Sequence, residues 1–235
     1  MFNVNNCRPI EDLREIHKNG VPWSAFYRVL YYTRLFRYIH KNQYERIMDE
    51  NGKKLDHRAI NGKALDFMME KEYLTKRSPE VYCGTNKCNT PLQRVGVGDL
   101  IPAVPDKDAM GKSNVLNNTD VYIQALRVPD FYALLFHDFG YLEPDAILVQ
   151  KREEKYKVTM LEVEASKKKP DWFDIKKENY LRLAKDMYCY EVWVEKARIL
   201  DLRIPTLEEF KFNVTFICSF TKELGEGFNF TPSLC

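Results

Sequence analysis

Three acidic residues in the second half of the chain are spaced as ligands of a divalent cation. Asp145 opens the apolar, β-prone run DAILVQ, and Glu162 and Glu164 lie two apart in a second such run, VTMLEVE. Residues i and i+2 of a strand project from the same face, so the two glutamates would stand side by side. Their carboxylates repel each other unless a positive charge lies between them. The spacing therefore points to a bound metal ion.

A β-hairpin would bring the three carboxylates together. Glu162 and Glu164 follow Asp145 by 17 and 19 residues, with a charged, turn-like run between the two apolar segments. The far end of such a hairpin returns beside its start, where the backbone carbonyl of Val163 adds a further oxygen. Oxygen ligands suit Mg²⁺ or Mn²⁺. A metal held there can clamp a phosphate and activate water for in-line attack, so the expected chemistry is phosphodiester hydrolysis.

These motifs resemble the PD-(D/E)XK nuclease superfamily over about residues 119–220. The matching segments are EPDA at 143–146 for the PD element, LEVEAS at 161–166 for the (D/E)XK strand, and KKENY at 176–180 for the Lys/Gln and Tyr positions behind the site. The resemblance implies that Asp145 and Glu162 are metal ligands in a mixed α/β nuclease domain.

The glutamate at position 164 departs from that pattern, which usually has lysine there. Either Glu164 or Lys167 would then orient or deprotonate the attacking water. Some restriction endonucleases of the superfamily also carry Glu at this position. The alternatives are a degenerate, inactive domain and a solvated strand face without metal. Leu148 and Leu161 argue against a solvated strand face, because such residues are typical of a central strand. A carboxylate on a central strand needs a partner.

Ahead of these motifs the sequence predicts a small helical domain that ends in a hairpin. Apolar residues recur at helical spacing over 26–36, a short helix follows over 41–54, and a further helix from Asp56 has Phe67 in its buried stripe. Two strand-like runs then flank a Ser-Pro turn. The order resembles a winged helix over residues 21–84. In that fold the last helix enters the major groove and the hairpin touches the DNA backbone.

The charge of this segment favours DNA as its partner, although the whole chain carries a formal charge of only +2. Between Trp23 and Ser78 there are twelve Lys or Arg and seven Asp or Glu. A solvated basic face and a protein-binding winged helix are the alternatives. The residues expected to contact DNA lie off the apolar stripe or at the hairpin tip, and they are Arg58, Asn61, Lys63, Lys76 and Arg77.

The remaining segments predict an α+β protein. From Thr119 we expect a helix interrupted near Pro129, then the two acidic strands, a helix over 171–188 and strand-like segments at 190–202 and 210–220. This order indicates a mixed sheet with helices on its faces. The expected domains are an N-terminal winged helix-turn-helix domain at 1–84, a Gly-, Pro- and Asn-rich connector at 85–118, and a PD-(D/E)XK-like nuclease domain at 119–235.

Composition indicates a folded cytoplasmic protein without a membrane partner. The 235 residues are 45% hydrophobic and 30% charged, and the longest apolar runs fall far short of the roughly 20 residues of a membrane helix. The N-terminus lacks the basic-then-apolar pattern of a signal peptide. Reduced thiols are the preferred interpretation of the six cysteines, rather than a zinc site.

Two functions from different classes fit these features. The first is a metal-dependent endonuclease whose winged helix binds double-stranded DNA. The second is a non-catalytic replication or transcription regulator whose nuclease-like domain is a scaffold or the interface of a homodimer. RNA cleavage is a third interpretation. The order of the two domains also resembles the replication-relaxation proteins of plasmids and other mobile elements, which implies DNA processing in a mobile element or phage.

Overall fold

The computed structural model describes residues 5–7, 25–44, 46–47, 63–94, 112–164 and 172–218. The protein is a mixed α+β structure with two β-sheets and, within these ranges, seven α-helices. Residue contacts divide the chain into two compact units, the first ending at Arg127 and the second beginning at Val128. The functional domains expected from the sequence stay a prediction.

The described chain opens with a short strand and continues with helices around a three-stranded sheet. The elements are β1 (Asn5–Cys7), α1 (Ala25–Leu35), β2 (Tyr38–His40), α2 (Lys41–Tyr44), α3 (Lys63–Glu70), β3 (Leu74–Ser78), β4 (Val81–Gly84), a 3-10 helix (Asn86–Cys88), α4 (Asn89–Arg94) and α5 (Lys112–Ala125). The sheet has the order β2-β4-β3, and both pairs are antiparallel. The hairpin predicted around the Ser-Pro turn is confirmed as β3 and β4.

In the first unit, the helical spacing of apolar residues correctly predicts buried positions of α1 but is wrong at one position of α3. Val29 and Leu30 of α1 are buried as predicted. In α3, Leu65 and Met68 are buried, whereas the side chain of Phe67 is 45% exposed. Phe67 lies about 200° around the helix axis from Leu65, so it faces away from the stripe. The part of this helix that was expected before position 63 lies outside the described residues.

The predicted helix interrupted near Pro129 is instead a helix and a strand. Helix α5 ends at Ala125 and packs within the first unit, where Thr119 Oγ1 donates to the carbonyl oxygen of Tyr38 at 2.8 Å. A turn follows in which Asp130 has a φ of 59°. The next residues, Phe131–Phe136, are rich in aromatic side chains and form strand β5, because pairing with a neighbouring strand overrides their helical spacing.

The second unit contains most of a five-stranded sheet and two helices. Its elements are β5 (Phe131–Phe136), β6 (Ala146–Arg152), β7 (Lys155–Glu164), α6 (Trp172–Ala184), α7 (Met187–Ile199) and β8 (Asn213–Cys218). Within the second unit the strands have the order β5-β6-β7-β8. Strands β5, β6 and β7 form an antiparallel meander, and β8 pairs with β7 in parallel. The predicted acidic hairpin and the strand at 210–220 are confirmed.

Most of the segment at 190–202, expected to be a strand, belongs to helix α7, which ends at Ile199. Its aromatic and β-branched residues favour a strand by propensity. The buried residues Cys189, Val192, Trp193 and Ala197 nevertheless recur at helical spacing and form one face. Asp186 caps the helix, because its side chain accepts a hydrogen bond from the backbone N–H of Tyr188 at 3.0 Å. Burial of this apolar face therefore outweighs the strand propensity of the individual residues.

Helices α6 and α7 contribute to one apolar cluster with a single face of the sheet. The cluster takes Ile147 and Val149 from β6, Val158 and Met160 from β7, and Tyr180 from α6. The strand residues are partners in register, since Ile147 pairs with Met160 and Val149 with Val158. Every second residue of these strands therefore faces the helices, which fixes the face on which the acidic residues of the same strands emerge.

A buried lysine on α7 lies outside this apolar pattern. The side chain of Lys196 is only 1% exposed, and its Nζ has no hydrogen-bond partner among the described residues. Burial lowers the pKa of Lys196 from 10.5 to about 8. The nearby Lys196 charge also contributes, after burial, to a pKa of about 4 for His137. A buried ammonium without a partner destabilises the fold.

We expect Lys196→Met to stabilise the protein by roughly 3 kcal/mol near neutral pH, the equivalent of the lowered pKa. Between about pH 8 and 10.5 the unfolded chain binds the proton and the folded chain does not. The free energy of unfolding of the parent should therefore rise with pH across that interval relative to the variant. Urea unfolding at several pH values measures both effects. The control is the exposed Lys185→Met, and equal stability of the parent and Lys196→Met would contradict the expectation.

Candidate active site

The register of the β6–β7 hairpin places Asp145 and Glu162 at the same end of the sheet. Ala146 pairs with Leu161, so the residues one step further, Asp145 and Glu162, stand opposite each other. Directly opposed residues of an antiparallel pair project from the same face. That face is the one covered by α6 and α7, because Ile147 and Met160 on the same face belong to the apolar cluster.

A hydrogen bond ties Asp145 to the strand that carries Glu162. Asp145 Oδ2 accepts from the backbone N–H of Val163 at 2.7 Å. This N–H lies between Glu162 and Glu164 in the chain, so the Asp145 carboxylate is held beside both positions. The loop before β6 is thus fixed to the end of β7 by a side chain rather than by the strand ladder alone.

Glu162 is buried and shares one oxygen between two donors from α6. Its side chain is 4% exposed. Lys176 Nζ donates to Glu162 Oε1 at 2.8 Å, and the hydroxyl of Tyr180 donates to the same oxygen at 2.7 Å. Lys176 and Tyr180 are four residues apart, so one face of α6 supplies both donors. Among the described residues both hydrogen bonds to Glu162 use Oε1, which leaves Oε2 as the oxygen available to a further ligand.

Burial dominates the electrostatics of this cluster. Desolvation raises the pKa of Glu162, while Lys176 and Tyr180 lower it and Glu164 raises it further. Desolvation also raises the pKa of Tyr180, which the negative charges of Glu162 and Asp145 raise again. The tyrosine is therefore protonated and a hydrogen-bond donor at neutral pH.

An aromatic group adjoins the carboxylates. Phe216 of β8 pairs in register with Glu162. Its ring contacts those of Tyr180 at 6.3 Å, Phe173 at 4.8 Å and Trp172 at 6.0 Å between centroids. The first two turns of α6 are thereby fixed to the end of the sheet, and an apolar wall stands next to the charged cluster.

The structure brings some of the predicted site residues together and leaves others outside its description. Glu164 lies on the same face as Glu162 and is half-buried, two residues along β7. Lys167 lies outside the described residues. Within the described ranges, no group of three or more His, Cys, Asp or Glu side chains stands close enough to hold a metal ion. A metal at this site would therefore depend on fewer protein carboxylates than the sequence pattern predicts.

The predicted DNA contacts are described only in part. Arg58 and Asn61 lie outside the described residues, and for Lys63 the structure describes only its place at the start of α3. Lys76 and Arg77 are exposed, but they lie on strand β3 before the turn rather than at the hairpin tip. An irregularity in the register between Lys76 and Ser78 leaves Arg77 out of the regular pairing. Bulges of this kind redirect side chains, and here both consecutive cations reach solvent.

The direct partners of Glu162 were not among the catalytic residues expected from the sequence. Lys176 and Tyr180 appeared there only as the positions behind the site. The signal that identifies them is the spacing of four residues in KKENY, with a donor at each end of one helical turn. The spacing alone does not give their target, because only the packing of α6 on the sheet brings that turn to Glu162.

Comparison with protein-family models, with curated proteins and with solved structures finds no match for this chain. The chemistry of the site consequently has to be inferred from its own geometry. Two carboxylates, an amine and a phenol converge on the end of a strand pair, an arrangement that can bind a hard cation or hold a proton.

The hydrogen bond from Tyr180 should stabilise the folded protein more strongly while Glu162 is ionised than after it is protonated. We expect Tyr180→Phe to cost about 1.5–3 kcal/mol at neutral pH, because a buried carboxylate loses a donor. As the pH falls through the raised pKa of Glu162, the carboxyl group becomes protonated and the cost should shrink. Urea unfolding of parent and variant at pH 4, below the ordinary glutamate pKa of 4.5, and at pH 8 measures the difference.

The matched control is Tyr190→Phe, whose hydroxyl donates to the neutral carbonyl of Pro205 at 2.9 Å. That change should cost about 1 kcal/mol at both pH values. A Tyr180→Phe cost that is independent of pH, or no larger than that of Tyr190→Phe, would show that the phenol does not support a buried charge.

Proposed function

We propose that the protein is a metal-dependent endonuclease that binds double-stranded DNA and hydrolyses its phosphodiester bonds. The observation that carries the proposal is the convergence of Asp145 and Glu162 at one end of the β6–β7 pair, with Lys176 Nζ 2.8 Å from Glu162 Oε1. A purely structural role would not require a cluster of charged side chains on the buried face of the sheet, because each unpaired charge there destabilises the fold.

The donor set of the site is compatible with Mg²⁺ or Mn²⁺. Magnesium is commonly bound by one or two carboxylates, with waters and substrate phosphate oxygens completing its shell. Asp145 and Glu162 would supply the two carboxylates, and a third acidic ligand is not needed. When bound, the ion would neutralise the phosphate and activate water.

Lys176 fits the role of the amine that the strand motif lacks at position 164. Its side chain is 23% exposed, so the ammonium group is reachable from solvent although it pairs with a buried carboxylate. The amine would donate to a phosphate oxygen or orient the attacking water. Tyr180 would keep Glu162 in position. Lys167 and Glu164, which the sequence pattern favours for this role, remain candidates beside it.

The first unit supports the DNA-binding half of the proposal. Within the described residues, its order of helix, strand, two helices and hairpin, with the antiparallel sheet β2-β4-β3, resembles that of a winged helix. The exposed cations Lys76 and Arg77 on β3 would then lie along the DNA backbone. Processing of mobile-element or phage DNA, a cytoplasmic location and a homodimer stay predictions. None of the helices in the described ranges combines the length and apolar character needed to cross a bilayer.

Loss of either carboxylate should abolish metal-dependent cleavage. We expect Glu162→Gln and Asp145→Asn to reduce the rate of plasmid nicking in Mg²⁺ or Mn²⁺ by at least about a hundredfold, because the two carboxylates would hold the metal. In the parent, Mg²⁺ at a hundredfold excess over Kd should also stabilise the fold by about 2.7 kcal/mol, and both variants should lose this effect.

The control for these variants is Glu154→Gln, which alters an exposed acid at the turn of the same hairpin. It should retain both cleavage and stabilisation by metal. Cleavage that persists in Glu162→Gln, or that needs no divalent metal, would overturn the proposed site.

The cations of β3 should contribute to DNA affinity independently of cleavage. We expect the double substitution Lys76→Gln and Arg77→Gln to weaken binding of duplex DNA and to reduce the slope of log affinity against log salt by about two, because two phosphate contacts are lost. The second unit offers a matched pair with the same residue types, Lys151 and Arg152. The same substitutions there should leave the slope unchanged, and equal slopes for both double variants would contradict the winged-helix interpretation.

A non-catalytic DNA-binding regulator is the second candidate function. It is favoured by Glu164, which stands where the nuclease pattern has lysine and raises the pKa of Glu162. In this case the Glu162 cluster would fasten α6 to the sheet without performing chemistry. Duplex binding would persist, while metal would neither stabilise the protein nor support cleavage.

A further inference from the structure

The first turns of α6 present an apolar surface next to the Glu162 cluster. Trp172 opens the helix and is half-buried, with its ring edge-to-face against Phe216 at 6.0 Å and 84°. Ile175 follows three residues later and is 52% exposed. Residues three apart are neighbours on a helix surface, so the indole and the isoleucine form one continuous patch. The Phe216 contact anchors that patch beside Glu162, because Phe216 and Glu162 are paired in register.

A cation stands beside the indole of this patch. Lys176, the partner of Glu162, follows Trp172 by four residues and therefore lies on the same side of the helix, whereas the exposed Glu178 follows Ile175 by three. From Trp172 to Lys185 the chain has four Lys or Arg and two Asp or Glu, so an anionic partner is favoured along this helix. A ligand that fits must therefore offer apolar, flat surface and negative charge within a short distance of each other.

We propose that Trp172 and Ile175 form a stacking platform for an unpaired base, and that the strand carrying this base runs past Lys176 into the Glu162 site. Every nucleobase has a π-face that stacks on an aromatic side chain without regard to sequence, and the adjacent phosphate meets Lys176. In a duplex the base faces are covered by their neighbours. At this site the DNA of the proposed function would accordingly be held as a single-stranded or locally opened segment, while the first unit binds duplex. This inference deepens the proposed nuclease function. It rests on that function for one point, that the nucleic-acid strand runs from the platform towards Glu162.

Binding without divalent metal tests the platform separately from cleavage. The probe is a fluorescein-labelled oligothymidylate, with an oligomer of abasic sites of equal length as its comparison, and the readout is fluorescence anisotropy of the full-length protein. Removing one base stack costs about 1 kcal/mol or more, so Trp172→Ala should weaken oligothymidylate affinity by about fivefold or more. Trp172→Phe keeps an aromatic face and should retain most of the affinity. The abasic oligomer should bind the parent about as weakly as oligothymidylate binds Trp172→Ala.

The control is Met187→Ala, which removes an apolar side chain that is 51% exposed from α7. It should leave the affinity unchanged. Parent-like affinity of a folded Trp172→Ala protein, or equal binding of abasic and base-bearing oligomers by the parent, would overturn the proposal. If Trp172→Ala does not fold by circular dichroism, the abasic comparison and Trp172→Phe still decide the question.

Two further outcomes separate this inference from its alternatives. If Trp172→Ala abolishes self-association in sedimentation but leaves oligothymidylate affinity intact, the patch is an interface between copies and the stacking proposal is wrong. If the parent stacks the oligomer as expected but shows no metal-dependent cleavage, the platform stands and the nuclease proposal fails. The two ideas are thus tested by different measurements.

Discussion

The buried carboxylate of Glu162 is the constraint on which the rest of the second unit depends. An ionised carboxylate away from water is tolerated only where donors replace its hydration. Lys176 and Tyr180 supply that replacement through a single oxygen, and both belong to one turn of α6. The need to satisfy Glu162 therefore fixes the position of α6 along β7. It also fixes the aromatic first turn of the helix against Phe216.

The site also depends on the register of the β6–β7 hairpin. Because side chains alternate along a strand, a slip of one residue between β6 and β7 would turn Asp145 away from Glu162 and move Ile147 out of the core. The apolar partners Ile147 and Met160 thus hold the acidic pair in place as well as filling the interior. Core packing and site geometry are two consequences of the same alternation.

Lys196 shows what happens to a buried charge without such partners. It lies on α7, in the same layer as Lys176 and Tyr180, but its Nζ meets no hydrogen-bond acceptor among the described residues. Its pKa falls to about 8, while Lys176 is compensated by a carboxylate. The contrast indicates that the charges around Glu162 are arranged as a set, and that burial by itself does not account for them.

The sequence by itself determined the elements whose signals are local. The acidic hairpin, the helix with Lys176 and Tyr180, the β3–β4 hairpin and the last strand were predicted, because alternation, helical spacing and turn residues act over a few positions. Tertiary structure decided the rest. Packing made a helix of most of the β-prone segment 190–202 and a strand of Phe131–Phe136, and it selected Lys176 as the partner of Glu162. Such contacts join residues distant in the chain, and their free energy depends on burial that no local pattern contains.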